Sequence, residues 1–253
     1  MIAVLLCAGF ATRLYPLSKF FPKPLLPVAG KTALSSLLDQ LISFDGLQRI
    51  HLVSNHRFIL HFRLWLRSYS SPIPIILHDD GSTTNKNRRG ALADLFLALR
   101  TEPTPTRVVA AAGDNIFLFS LAPFWRTFCA NNYHTVLALH ETNVSKLRST
   151  GVLELTNDNF VARLHEKPQQ PPSLLACPPI YFLLPSAWSL LATYLANPAH
   201  QRDALGHFID YLCQRERVRA LPAYGTRLDI GTIASYRAAI ATLARIPSTA
   251  DNA

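Results

Sequence analysis

The chain has 253 residues, with 25 Lys and Arg against 16 Asp and Glu, and a formal net charge of +9. Only 16% of residues are charged and 49% are hydrophobic, which excludes disorder and supplies core material for one large α/β domain. The surplus of positive charge calls for an anionic partner, with nucleic acid, a membrane surface and a phosphorylated small molecule all open on composition alone.

Strands and helices alternate from the first residue, the pattern of a mostly parallel sheet covered by helices. Residues 2–7 form an apolar strand, followed by a loop that ends in Pro22-Lys-Pro-Leu-Leu-Pro27. Residues 32–44 carry Leu34, Leu37, Leu38, Leu41 and Ile42 at helical spacing. A strand over 50–54, a helix over 58–69 and a third strand over 73–77 come next, with Pro74 pushing the third toward a sheet edge. The polar stretch 78–89 is a loop of the long kind that is functional or mobile, and its Lys86, Arg88 and Arg89 read as a mobile segment.

A helix over 90–100, a short central strand over 108–112, a helix over 120–130 and a strand over 135–139 continue the series. From Gly151 the pattern becomes alternation, with 152–155 and 160–164 joined by Asn157-Asp158-Asn159 as a hairpin. A strand over 180–184, helices over 186–195 and 204–215, a strand over 218–221 and a last helix over 233–245 follow, with a frayed tail over 247–253.

Cys7, Cys129, Cys177 and Cys213 lie far apart and form no metal-ligand cluster, so they read as reduced, mostly buried thiols of a cytoplasmic protein. The apolar start has no basic segment before it and reads as a buried strand, not a secretory signal. The uncharged stretch 168–201 is divided by Pro171, Pro172, Pro178, Pro179, Pro185 and Pro198 into pieces too short for the ~20 residues a membrane crossing needs. No membrane partner is expected.

The segment from Leu6 to Lys31 carries the chemistry. In an open α/β sheet the carboxyl end of the first strand borders the ligand crevice. There Ala8 and Gly9 let backbone N–H groups approach phosphate oxygens, Thr12 adds a hydroxyl, and Arg13 and Lys23 add fixed positive charge. Arg13, Lys19, Lys23 and Lys31 all precede the first acidic residue, Asp39, as a polyphosphate cradle requires. The pattern is neither the dinucleotide Gly-x-Gly-x-x-Gly nor the P-loop. Read by itself, it also suits a tight turn beside a solvated basic loop.

Over its full length, however, the segment resembles the signature Ala-Gly-x-Gly-Thr-Arg-Leu-x-Pro-Leu-Thr followed by Pro-Lys-Pro-Leu-Leu-Pro-Val. That signature belongs to the nucleoside-triphosphate transferase family, specifically the sugar-1-phosphate nucleotidylyltransferases of the glucose-1-phosphate thymidylyltransferase kind. The resemblance implies a Rossmann-like three-layer α/β/α fold with a mixed, mostly parallel central sheet and a small β-hairpin acceptor-binding insertion. It also implies a single nucleotidyltransferase domain over 1–246, with a nucleotide-binding half over 1–140 and an acceptor-binding half over 141–232.

The implied reaction is attack by a sugar-1-phosphate oxygen on the α-phosphorus of a nucleoside triphosphate, forming a nucleotide sugar and pyrophosphate with Mg²⁺ as cofactor. By the same resemblance Arg13 and Lys23 are catalytic, and Ala8, Gly9, Thr12, Asp80 and Gly90 bind the nucleotide. Asp114 and Asp229 hold the metal, while Gly151, Glu166 and Lys167 bind the acceptor. Without the family, Asp229 would read as part of a helix N-cap region before Ile233, and Glu166 with Lys167 as a solvated pair at a strand end.

Three departures stand out. Ala11 replaces the second glycine of the signature, so that position either avoids φ > 0 or accepts strain. Pro179-Ile-Tyr181 stands where Gly-Ile-Tyr is usual, so Pro179 replaces a glycine of the acceptor pocket. The stretch from Asp80 to Ala91 resembles the Asp-Gly-Thr-Thr-Ser-Asn variant of one subgroup and lacks the glutamine that reads the base in commoner members, which leaves the base open. A cytidylyltransferase acting on a non-sugar phosphate or phosphonate and a non-catalytic regulatory homologue are the alternatives. Arg215, Arg217 and Arg219 read as a solvated face, so nucleic acid is not an expected partner. Self-association is left open.

Overall fold

The opening Ile-Ala-Val-Leu-Leu run has no polar face, so it is stable only where both faces are covered. In the computed structural model, which describes residues 1–245, it forms β1 (Ile2–Leu6) in the middle of the sheet, with Ile2 to Leu5 fully buried. A two-stranded ribbon of β2 (Pro27–Val28) and β3 (Lys31–Thr32) leads into α1 (Ala33–Leu41). Thr32 and Ser35 cap α1 reciprocally, each side chain accepting the other's backbone N–H. Then follow β4 (Arg49–Ser54), α2 (Ile59–Ser68), β5 (Ile75–Asp79), α3 (Ala91–Leu99), β6 (Val108–Ala112), β7 (Asn115–Phe117) and α4 (Ala122–Ala130).

The second half contains β8 (His134–His140), α5 (Val144–Leu147), β9 (Gly151–Leu155), β10 (Val161–Glu166), β11 (Leu175–Cys177) and β12 (Ile180–Leu183). It closes with α6 (Ala187–Ala196), α7 (Leu205–Cys213), β13 (Val218–Ala223), β14 (Arg227–Asp229) and α8 (Ile233–Leu243). The expected tail over 247–253 lies outside the described residues.

Among the described residues the main sheet has ten strands in the order β10-β9-β11-β8-β12-β6-β1-β4-β5, with β13 also on β8. The β5-β4-β1-β6 section is parallel and β13 runs parallel to β8, whereas β12, β11 and β10 run against the others. The sheet is therefore mixed and mostly parallel, as expected, and β5 is its edge, with Pro74 just outside the ladder.

Alternation along each strand divides the core into two faces. Ala3 and Leu5 point to the side of α1, α2 and α4, where Leu34, Leu37, Phe62, Trp125 and Phe128 pack. Ile2 and Val4 point to the side of α3, α6 and α7, where Leu92, Leu95, Leu191 and Phe208 pack. Helices on both faces make the three layers. Leu6 lies level with Val53 of β4 and Ala112 of β6, so the segments leaving these three strands border one crevice.

β7 and β14, which the sequence does not announce, pair outside the main sheet and rest on α8 through Ile116, Ile230 and Ala239. All four cysteines are free: Cys7 and Cys177 are buried, Cys129 and Cys213 half-buried. No helix of the described residues is long and apolar enough to cross a membrane.

Candidate active site

Backbone bonds fix the start of the loop after β1. Cys7 N–H donates to Val53 O at 2.8 Å, Asn55 Nδ2 donates to Ala8 O at 2.9 Å, and Gly113 N–H donates to Leu6 O at 3.1 Å. A Cβ on Gly113 would overlap Cys7 Sγ, so only glycine lets β6 come this close to the loop. A Cβ on Gly9 would instead meet nothing within 4 Å, because that residue borders the open crevice.

Ala11 takes the strained alternative, with φ 47° and ψ 43°, and Ser18 Oγ donates to its carbonyl at 2.7 Å. For a residue with a Cβ, this left-handed geometry costs roughly 1–2 kcal/mol. Thr12 and Arg13, both exposed, follow it into the cleft wall.

Lys23 lies in a single 3₁₀ turn after Pro22 and is 9% exposed. Its Nζ is 2.6 Å from Asp114 Oδ2 and 3.4 Å from Asp229 Oδ1. Asp114 follows β6, and Asp229 is the last residue of β14, level with Asn115 of β7. The β7–β14 pairing is thus what carries Asp229 across the chain to Asp114. Asn115 Nδ2 donates to Asp114 Oδ1 at 2.8 Å, and Arg227 Nη1 donates to Asn115 Oδ1 at 2.9 Å.

Burial works against charge at both Lys23 and Asp114, yet their mutual attraction outweighs it. The Lys23 ammonium, facing Asp114 and then Asp229, has a raised pKa, and the Asp114 carboxyl, facing Lys23 with Arg227 beyond, a lowered one. Both are ionised at neutral pH. Asp229 is more open, and a Cβ on Gly231 would come within 2.8 Å of its Oδ2.

Gly151, Glu166 and Lys167 gather on another wall of the crevice. Gly151 begins β9 and pairs with Glu166 of β10 on one side and Cys177 of β11 on the other. The Glu166 side chain is 10% exposed and 3.5 Å from Lys167 Nζ, while Lys167 adopts φ 49° and donates its N–H to Thr150 O at 3.1 Å. A Cβ on Gly206 would overlap the Glu166 carboxylate, so the first turn of α7 is built around that side chain. Pro179 lines the cleft, and its carbonyl accepts Ala112 N–H at 3.0 Å, which preserves the link to β6 despite the departure from glycine.

Asn85, Arg88, Gly90, Ala91 and Asp94 make a further wall at the start of α3. Gly90 has φ 91°, and a Cβ there would come within 2.5 Å of Arg202 O. Asp80 is not among the lining residues. It lies 1% exposed behind the wall, where its carboxylate accepts Ser82 N–H at 2.6 Å and Ser82 Oγ–H at 2.7 Å, and so shapes the turn.

Asp94, which the sequence reading passed over, is 4% exposed and lines the cleft. Burial pushes its pKa up to about 7, with the Asp80 charge adding and Arg89 opposing. Ala204, Leu205 and Gly206 of the α7 entrance are further lining residues without a sequence signal.

These walls enclose a cleft of ≈ 420 Å³, the size of a small-molecule site. It has cations at the end of β1, a pair of carboxylates beside a buried lysine, and an acid–base pair on the β9–β10 side. Among the described residues no three His, Cys, Asp or Glu side chains converge to cage a metal unaided. Two hard carboxylates in a polar cleft suit Mg²⁺, which takes one or two such ligands together with substrate phosphates and waters.

A family model described as nucleotidyl transferase matches residues 2–245. A UTP–glucose-1-phosphate uridylyltransferase, AglF of Haloferax volcanii, is 26% identical over 233 residues that make up 91% of each chain. The bifunctional protein GlmU of Methanococcus maripaludis is 29% identical over 239 residues, and there the match spans 91% of this chain but 51% of that protein. A structure from Bacillus anthracis described as a glucose-1-phosphate thymidylyltransferase superposes with a TM-score of 0.82 at 21% identity, covering 98% of this chain and 97% of the other. A UDP-glucose pyrophosphorylase complexed with UDP-glucose gives 0.78 at 16% identity, covering 96% of this chain and 98% of the other. The likeness to these two structures is one of fold.

Proposed function

Because the chain belongs to the nucleotidyl transferase family, we propose that its cleft moves a nucleoside monophosphate from a nucleoside triphosphate onto a sugar-1-phosphate, releasing pyrophosphate. The observation that carries this reading is the convergence of Lys23, Asp114 and Asp229 between the Gly9 loop and the Glu166–Lys167 wall. The names of the relatives favour a sugar-1-phosphate over a non-sugar phosphate or phosphonate. In this reading residues 1–140 form a nucleotide-binding half and 141–232 an acceptor-binding half, supported by Gly9, Lys23 and Gly90 lining the cleft from the first and Gly151, Glu166 and Lys167 from the second.

The attacking phosphate oxygen is already anionic, so no strong general base is required and rate enhancement comes from alignment and charge neutralisation. Arg13 faces the leaving pyrophosphate from the rim. The backbone at Ala8, Gly9 and Thr12 follows the triphosphate, and Gly90 lets the α3 entrance approach the nucleoside. Lys23 holds positive charge at the transferred phosphoryl group. Lys167 binds the incoming phosphate, and Glu166, beside Gly151, accepts a sugar hydroxyl.

Asp114 and Asp229 would hold Mg²⁺, which when bound supplies Lewis-acid polarisation of the phosphoryl oxygens. The Asn115–Arg227 chain fixes the Asp114 carboxylate in place. All the groups the reaction needs are present, which speaks against a purely regulatory homologue.

The test is a pyrophosphate-release screen of the common nucleoside triphosphates against a panel of sugar-1-phosphates and phosphocholine-type acceptors, with chromatography of the product. A nucleotide sugar formed from one pair supports the reading. Product only with non-sugar phosphates would replace its acceptor, and silence across the panel would overturn it.

A further inference from the structure

Buried polar side chains next to the cleft are bonded within the protein. Asp80 holds Ser82, Asn55 holds Ala8 O and Phe58 N–H, and Asn115 holds Asp114 and Arg227. Asp94 departs from this pattern. Its Oδ1 is sealed from water and bonded to nothing. Three other buried side-chain atoms among the described residues also lack a partner, on Arg49, His61 and His165, but none of those residues lines the cleft. An unbonded buried carboxyl is costly and needs a reason. A site that takes a ligand supplies one, because the ligand can be the missing partner. The terminal torsion of an aspartate is broad, so either oxygen turns toward the cleft at little cost.

We infer that Asp94 reads the nucleobase, its carboxylate accepting a hydrogen bond from an N–H group of the base of the bound nucleoside triphosphate. This rests on the nucleotidyl-transfer reading above. A carboxylate repels phosphate, and the cations Arg13 and Lys23 lie at the end of β1, so Asp94 faces another part of the ligand. The acceptor wall belongs to β9 and β10, on the β6 side of β1; α3 packs on β1 and β4 and, besides, on α6 and α7. The nucleoside is the part left for α3.

Within it, the base fits better than the ribose. The lining residues Leu6, Phe10 and Ala91 are apolar and suit a flat ring, and Asp94, which shares the α3 wall with Asn85, Arg88 and Ala91, is the buried acceptor on that wall with an unbonded oxygen. A buried acceptor of this kind confers specificity because a base without a matching N–H leaves it unpaired.

The experiment measures equilibrium binding of ATP, GTP, CTP, UTP and dUTP, with inorganic tripolyphosphate as a probe that has no base, to the wild type, Asp94→Ala and Asp94→Asn. The wild type is expected to rank the bases clearly. Asp94→Ala weakens the preferred triphosphate about 10–100-fold, as leaving a buried hydrogen-bonding group unpaired does, and flattens the ranking. Asp94→Asn, which keeps an acceptor and adds a donor, reorders it. Tripolyphosphate binds all three proteins equally.

An unchanged ranking overturns the assignment. So does uniform weakening that includes tripolyphosphate, or a change confined to the UTP to dUTP ratio, which would point to the ribose. A wild type that binds none of the nucleotides overturns the assignment together with the transfer reading, whereas normal turnover with an unchanged base ranking in the variants overturns the assignment alone.

Discussion

Lys23 and Asp114 form the shortest ion pair among the described residues, at 2.6 Å, between two segments 91 positions apart in the chain. The pair joins the loop after β1 to the end of β6, and Asp229 meets the same ammonium from β14. It is at once a structural bond and the centre of the proposed chemistry.

Removing the lysine separates these roles. Lys23→Met leaves two carboxylates facing each other without a cation, and turnover is expected to fall at least 10²–10³-fold, the scale for losing one preorganised charge. Stability changes sign with pH. In the wild type the lowered Asp114 pKa contributes stability above the ordinary carboxyl value of about 4, lost as pH falls through the folded value. In Lys23→Met burial prevails and raises that pKa, so the same carboxyl costs stability as pH rises above about 4. Urea unfolding across pH 3 to 7 checks the inversion; parallel curves for the two proteins would refute it.

Asn115→Ala takes away the amide that holds Asp114 Oδ1 and receives Arg227. Because its amide orients the Asp114 carboxylate, the loss is expected to appear in kcat, by about 10–100-fold, and in a higher Mg²⁺ requirement. KM for the acceptor should hardly move. Steady-state kinetics over a magnesium titration measures all three.

Gly206→Ala inserts a methyl group where the Glu166 carboxylate lies. Displacing that side chain by an ångström is expected to lower kcat/KM for the sugar-1-phosphate about 10–100-fold and to leave KM for the nucleotide within twofold. Equal losses for both substrates would show that Glu166 does not belong to the acceptor wall.

At Ala11 the issue is strain alone. Ala11→Gly relieves the left-handed geometry but adds freedom to the unfolded chain, two effects of about 1 kcal/mol that nearly cancel. Ala11→Val, with a β-branched side chain at φ 47°, should destabilise by more than about 1 kcal/mol. Denaturant midpoints of the two variants give the contrast.

The sequence discloses those parts of the molecule in which local pattern and tertiary role coincide. The unbroken apolar run of β1, the helical spacing of Leu34, Leu37, Leu38 and Leu41, and the alternation around Asn157-Asp158-Asn159 each reflect a buried face. Most site residues, Lys23 and Asp114 among them, lie in short runs that match the family signature. The β7–β14 pairing is different, since two three-residue strands more than a hundred positions apart have no periodicity to find, yet they bring Asp229 to Asp114.

Asp80 and Asp94 show the same limit from the other side. Asp80 lies in a polar loop that looks like a ligand loop, and its carboxylate turns inward onto Ser82. Asp94 is hidden in Ala-Leu-Ala-Asp-Leu-Phe-Leu, a helix that looks like core, and it faces the cleft. Neither burial nor the direction of a carboxylate is legible until helix α3 is packed against β1.

Nucleotidyl transfer makes one demand that no phosphoryl transfer shares, that the α-phosphate of the triphosphate end in the product. The direct test incubates the protein, Mg²⁺, a sugar-1-phosphate and the preferred nucleoside triphosphate labelled either at the α- or at the γ-phosphate. The account predicts α-label in the nucleotide sugar, γ-label only in released pyrophosphate, and both transfers abolished in Asp114→Ala. Label from the γ-phosphate on the sugar, or α-label transferred as well by Asp114→Ala as by the wild type, would contradict it.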